Sequence, residues 1–130
     1  MENTSTPKLD AGLLVTGDLI FSTKITGTAR ALGLDVRVIG VPGFVVDRIR
    51  SDPPRCIFLD LGVATLTGEL IREIVIAAAG RPVLAFGSHV DTARLQSARD
   101  AGCTEVMPRS RLSSELPALL QQYLATKQDG

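Results

Sequence analysis

Five short apolar runs punctuate the chain: Leu13 to Thr16, Val36 to Ile39, Cys56 to Leu61, Val83 to Phe86, and Val106 to Met107. Each is strand-sized, and the gaps between them are long enough for the crossovers that join parallel strands. The gaps themselves mostly change to a helical period. Phe21, Ile25, Ala29 and Leu32 recur at steps of four, four and three, and Gly33 stands where a helix ends, although Gly27 weakens the pattern. Thr67 precedes an apolar stripe of Leu70, Ile71, Ile74, Val75 and Ala78 that Gly80 closes, the clearest helix of the set. Asp91 is positioned to cap a helix that turns Leu95 and Ala98 inward and stops at Gly102. In the last helix Leu116, Leu119, Leu120, Tyr123 and Leu124 share a face, with Ser114 as cap and Pro117 confined to the first turn. In "VPGFVVDRIR" the pattern is weak: Val45, Val46 and Ile49 predict only a short helix, and "SDPP" predicts a turn after it.

Strand and helix alternating five times predict a doubly wound α/β domain, one parallel sheet with helices on both faces and right-handed crossovers. The domain is expected to run over residues 11–125, between polar tails at 1–10 and 126–130 that should fray. A chain of 130 residues, 45% of them apolar, supports one core and no second domain. Fourteen basic residues balance fourteen acidic ones, so no net field favours nucleic acid or an anionic membrane, and neither is expected as a partner. The first ten residues lack the basic flank and apolar stretch of a signal peptide, and no apolar run has membrane-spanning length; a cytoplasmic location is expected. Cys56 and Cys103 match no zinc-site spacing and read as reduced, packed thiols.

Ligands of an open parallel sheet bind outside the carboxyl ends of its strands. That rule gathers Thr16 to Asp18, Asp60, Gly87 to His89 and Arg109 around one crevice. In "CIFLDLG" a carboxylate directly follows a wholly apolar strand, a position that invites chemistry. His89 has no nucleophile or second ligand in evidence and reads as a surface histidine, and its neighbour Ser88 lacks the third group that a catalytic pair requires. "GVPGF" at 40–44 lacks the further glycine, the Lys and the Ser/Thr of a phosphate cradle and is expected to be a loop.

Three motifs together carry a resemblance. "CIFLDLGVATLTG", "RPVLAFGSH" and "ARDAGCTEVMPRS" are similar to the phosphoacceptor strand and loop, the fourth strand, and the turn into the fifth strand of response-regulator receiver domains, over residues 11–125. The resemblance implies a flavodoxin-like five-stranded sheet of order 2-1-3-4-5, and it makes Asp60 the candidate phosphoacceptor. Such domains hold Mg²⁺ on two acidic residues after the first strand, bond the phosphoryl group through a Ser or Thr after the fourth, and pair it with a Lys after the fifth. Here Thr16 and Gly17 stand in the acidic places, with Asp18 displaced by one. Gly87 stands in the hydroxyl place with Ser88 one step along. Arg109 replaces the Lys, and Ser110 replaces the Pro after it. The candidate metal set therefore shrinks to Asp18 and Asp60, helped by a backbone carbonyl near Gly62 and water. Arg109, always charged, is expected to form a standing ion pair with Asp60.

These departures imply a pseudo-receiver of chemotaxis-regulator type, a bacterial two-component signalling module with phosphorylation lost and no enzymatic role. No cofactor is expected, and Mg²⁺ enters only if Asp60 is phosphorylated. The implied function is docking to a protein, a histidine kinase or a separate output protein, through the face near the fourth helix and fifth strand. A homodimer through the fourth helix, fifth strand and final helix is a further expectation. The alternative is a working phosphorelay acceptor phosphorylated on Asp60 by a histidine kinase. A flavin or nucleotide binder is a third reading, disfavoured by the absence of Trp, the single Tyr and the lack of a phosphate-cradling loop.

Overall fold

The computed structural model describes residues 11–125; the expected tails at 1–10 and 126–130 lie outside the described residues. Five strands, β1 (Gly12–Val15), β2 (Val36–Ile39), β3 (Cys56–Asp60), β4 (Val83–Gly87) and β5 (Glu105–Pro108), form one parallel sheet of order β2-β1-β3-β4-β5. Six helices connect and follow them: α1 (Leu19–Ala31), α2 (Val45–Ser51), α3 (Gly68–Ala78), α4 (Thr92–Asp100), α5 (Arg109–Ser114) and α6 (Leu116–Leu124). The central strands β1, β3 and β4 are buried throughout because helices cover both faces, which is why they read as unbroken apolar runs. Side-chain alternation sends Leu13, Val15, Ile57, Leu59 and Ala85 to a core shared with α2, α3 and α4. Leu14, Phe58, Leu84 and Phe86 face the opposite core, shared with α1, α5 and α6. The register sets Val15 beside Leu59 and Asp60 beside Phe86, so the carboxyl ends of these strands open on one edge.

The helix starts are fixed by side chains. Asp18, Thr67 and Asp91 accept the backbone N–H of Phe21, Leu70 and Arg94 at 2.9, 3.2 and 3.1 Å, capping α1, α3 and α4. At the far end of α3, Ala79 and Gly80 turn left-handed with φ of 52° and 91°, and glycine makes that second residue inexpensive.

Two segments depart from expectation. Residues 42–44 are not a loop: Pro42–Phe44 wind as a 3-10 turn that leads directly into α2, where Val45 and Ile49 are buried. Ser114 does not cap the final helix. It is the last residue of α5, its hydroxyl donates to the Arg111 carbonyl at 3.3 Å, and Glu115 takes the cap position without a side-chain bond. One continuous helix from 109 to 124 would put Pro117 in its interior, clashing with the carbonyl four residues back and forcing Leu116 away from helical geometry. A break before the proline places Pro117 in the first turn of α6 instead. The apolar stripe of the last helix is core, as its spacing implies: Leu116, Leu119, Leu120 and Leu124 are buried and Tyr123 is half-buried. The Tyr123 hydroxyl donates to the Glu105 carboxylate and, with burial, this pushes its pKa up to about 12.

No helix among the described residues is long and apolar enough to cross a membrane. Ile74 and Ile76 test the packing of α3, since the first is fully buried and the second is 68% exposed. Ile74→Ala should lower unfolding free energy by about 2–5 kcal/mol in urea titration. Ile76→Ala should stay within about 0.5 kcal/mol of the parent, as a surface substitution does.

Candidate functional site

β3 delivers Asp60 to the carboxyl edge of the sheet as a residue only 3% exposed. A carboxylate removed from water needs donors in place of the water it lost. Thr16, at the end of the neighbouring β1, donates its hydroxyl to Oδ2 at 2.6 Å. The Gly62 N–H in the turn after β3 donates to Oδ1 at 2.8 Å. Arg109, the first residue of α5, donates from Nη2 to the same Oδ1, also at 2.8 Å. Glycine at 62 lets the turn fold back over the carboxylate: a Cβ there would stand 3.0 Å from Oδ1 and 3.4 Å from Nη2.

The ion pair expected from the sequence is therefore formed, and residues not anticipated hold it in place. The guanidinium carbon of Arg109 sits 4.6 Å from the ring centre of Phe21 and 5.6 Å from that of Phe86. The two rings are themselves 5.3 Å apart, so the cation lies against an aromatic pair built from α1 and β4. Its Nη1 lies 3.8 Å from the Asp18 carboxylate. The charge of Arg109 thus stands between the two carboxylates that formed the candidate metal set. A cleft of about 450 Å³, lined by Gly17, Asp18, Asp60, Gly62, Val63 and Arg109, opens beside it.

Ser88 and His89 are not part of this arrangement. Both are exposed in the turn after β4, where the Ser88 hydroxyl accepts the Val90 N–H at 3.4 Å. Gly87 is buried at the strand end and supplies no hydroxyl. Three contributors were missed by sequence reasoning: Phe21, Phe86 and Arg94. The two Phe residues sit at positions whose period already assigns them to the core. Arg94 donates from Nε to the Leu61 carbonyl at 3.0 Å and from Nη2 to the Val63 carbonyl at 2.8 Å, gripping the turn on both sides of Gly62. No spacing rule connects it to a site 33 residues away.

No family model matches the sequence, and no curated protein matches it significantly. Solved structures do match. The receiver domain of a sensor histidine kinase from Pseudomonas aeruginosa, which coordinates a magnesium ion in its active-site cleft, aligns with a TM-score of 0.75 at 21% identity. The alignment covers 89% of this chain and 98% of that domain. This is the receiver fold. The receiver domain of NtrX from Brucella abortus (19% identity, 89% and 99% covered, TM-score 0.74) resembles it similarly. So does a signal receiver domain from Bermanella marisrubri (19% identity, 89% and 98% covered, TM-score 0.75).

The receiver fold implies a magnesium site, and the residues here do not fit one. Mg²⁺ asks for near-octahedral oxygen ligands. Gly17 offers no side chain, one oxygen of Asp18 is committed to capping α1, and the Asp60 oxygens are engaged by Thr16, Gly62 and Arg109. A divalent ion would also have to sit against the guanidinium charge. Among the described residues no group of three His, Cys, Asp or Glu side chains comes together as a metal set.

Two outcomes follow. Thr16 also accepts the Asp18 N–H at 3.1 Å, so Thr16→Val strips a donor from a buried carboxylate and an acceptor from the first turn of α1. It should cost about 1–3 kcal/mol in urea unfolding, and Thr16→Ser should recover most of that. Both thiols are free, and burial pushes Cys103 up to about 11 and Cys56 further in the same direction. Alkylation of the native protein at pH 8 should be slower by about tenfold or more than in urea, because the thiolate is the reacting form.

Proposed function

We propose that this receiver-fold chain is a signalling domain that acts by docking to a protein, with its phosphoacceptor position closed by an internal ion pair. One observation carries the reading: the Arg109 guanidinium is bonded to the Asp60 carboxylate at 2.8 Å and packed against Phe21 and Phe86. Attack on a phosphoryl group needs a free carboxylate oxygen and a cation with exchangeable positions to bind the transferring oxygens. A carboxylate has about four acceptor positions. Three of those on Asp60 are filled by Thr16, Gly62 and Arg109. The guanidinium supplies charge but no coordination sites for a transferring phosphoryl group.

Docking is supported by what the surface leaves uncovered. Leu19 and Ile20 at the start of α1 are 78% and 84% exposed, and Val41 and Phe44 after β2 are 54% and 66% exposed. The bond from the Thr16 N–H to the Ile39 carbonyl at 3.1 Å pairs the ends of β1 and β2, the strands that these two segments follow. Large apolar side chains left this exposed are candidates for a contact surface. Val90, which leads into α4, is 73% exposed as well, beside a face of α4, β5 and the final helices that presents Arg99, Asp100, Arg111 and Glu115 to solvent. The docking surface of this reading takes in these apolar side chains at the carboxyl edge, from the segments after β1 and β2 to Val90 ahead of α4, and its partner is a protein with a complementary apolar surface.

The test is a ¹⁵N-HSQC titration with Mg²⁺, then with beryllofluoride, a stable stand-in for an aspartyl phosphoryl group. The expected result is no saturating shift. Saturating shifts at Asp60, Gly62 and Arg109 that disappear in Asp60→Asn would overturn the closed-site reading in favour of a working phosphoacceptor.

A further inference from the structure

Arg94 is a cation in the first turn of α4, where the partial positive charge of a helix start disfavours it. Its backbone N–H is already capped by Asp91 at 3.1 Å, so the side chain is not needed to begin the helix. Yet the side chain is half-buried, and its forked donors close on the carbonyls of Leu61 (3.0 Å) and Val63 (2.8 Å). The residue between those carbonyls, Gly62, gives its N–H to Asp60. Leu61 is tied in turn to β4 through the Phe86 carbonyl at 2.8 Å, and the Val63 carbonyl also takes the Leu66 N–H at 3.0 Å. The turn that holds Asp60 is thus gripped from α4 by a single side chain.

Beyond this fork the helix is held by its apolar face, packed on β4, β5 and α3. α4 has nine residues, of which only Leu95 and Ala98 are buried. A residue that breaks a local preference while making two long-range bonds marks a place where the fold has a second requirement. We infer that Arg94 is a positioning residue that couples the state of Asp60 to the position of α4. A change in what the Asp60 carboxylate binds moves the Gly62 amide, the flanking carbonyls shift with the turn, and the fork carries that displacement into the first turn of α4. By reciprocity, anything that displaces α4 loosens the Gly62 bond to Asp60. The coupling does not depend on whether Asp60 is phosphorylated or permanently paired.

The experiment compares amide chemical shifts and hydrogen exchange in four proteins: the parent, Asp60→Asn, Arg94→Ala and the double variant. In the parent background, Asp60→Asn should shift resonances in the 60–63 turn and also those of residues 92–98. In the Arg94→Ala background the same substitution should shift the turn but leave residues 92–98 unmoved. Exchange at the Gly62 amide should rise about tenfold in Arg94→Ala, the effect of losing roughly one charge-assisted bond. Arg94→Lys keeps the stem and the charge but cannot fork to two carbonyls, so it should transmit only part of the response and covers the case in which Arg94→Ala unfolds. The inference is overturned if residues 92–98 ignore Asp60→Asn in the parent, if they still respond fully in Arg94→Ala, or if Arg94→Lys transmits without loss. A purely structural Arg94 would lower stability without removing the response.

Discussion

A carboxylate held almost out of water at the end of the central strand sets the terms for this molecule. Asp60 is placed by β3, between β1 and β4, where the sheet has no room for a hydration shell. Its charge has to be answered by donors, and they arrive from three parts of the chain: Thr16 after β1, Gly62 in the turn beyond β3, and Arg109 after β5. The same bonds that make the charge tolerable also draw these segments to a common point. Geometry at the carboxyl edge of the sheet is therefore one connected problem, and a substitution at any of the three donors is felt by the other two.

Arginine in place of lysine changes the character of that edge. An ammonium on a flexible stem would be a point charge free to follow an incoming anion; a planar guanidinium can bond a carboxylate and stack on rings at once. Phe21 and Phe86 supply the rings, and Asp18 lies near the far nitrogen. Surface ion pairs are usually weak because both partners are solvated and mobile. Here one partner is buried and the other is braced by aromatic faces, so both of the usual losses are reduced.

The sheet was legible because its central strands are covered on both faces and must be apolar without interruption; their number and spacing give a doubly wound parallel sheet, and the strand order came from the resemblance to receiver domains. Asp60 and Arg109 were legible for a related reason, since each follows a strand and strand ends converge. Phe21 was hidden by its own regularity: a large apolar residue at helical spacing announces core, and nothing in the period says that a cation will rest on it. The Asp18 cap was overlooked because the residue invited a metal-ligand reading, although an Asp three positions before a helical N–H is an ordinary cap. Arg94 leaves no sequence signal, for its partners are backbone carbonyls that any residue would provide. The break before α6 was readable in principle, because Pro117 forbids a helix that begins at Arg109 from continuing through it.

The close fit at the end of β4 bears on redesign. A Cβ at position 87 would lie 3.1 Å from the Cβ of Leu61, an atom anchored to backbone that cannot swing aside as a side-chain tip would. Introducing a serine or threonine there, to give the cleft the hydroxyl of an ordinary receiver, therefore asks the backbone at 61 or at the end of β4 to give by a few tenths of an ångström. Leu61 in turn gives its carbonyl to Arg94 and its N–H to β4. Positions 61, 87 and 94 thus form a linked set, and an engineer who wished to install acceptor chemistry in this scaffold would treat them together before altering Arg109.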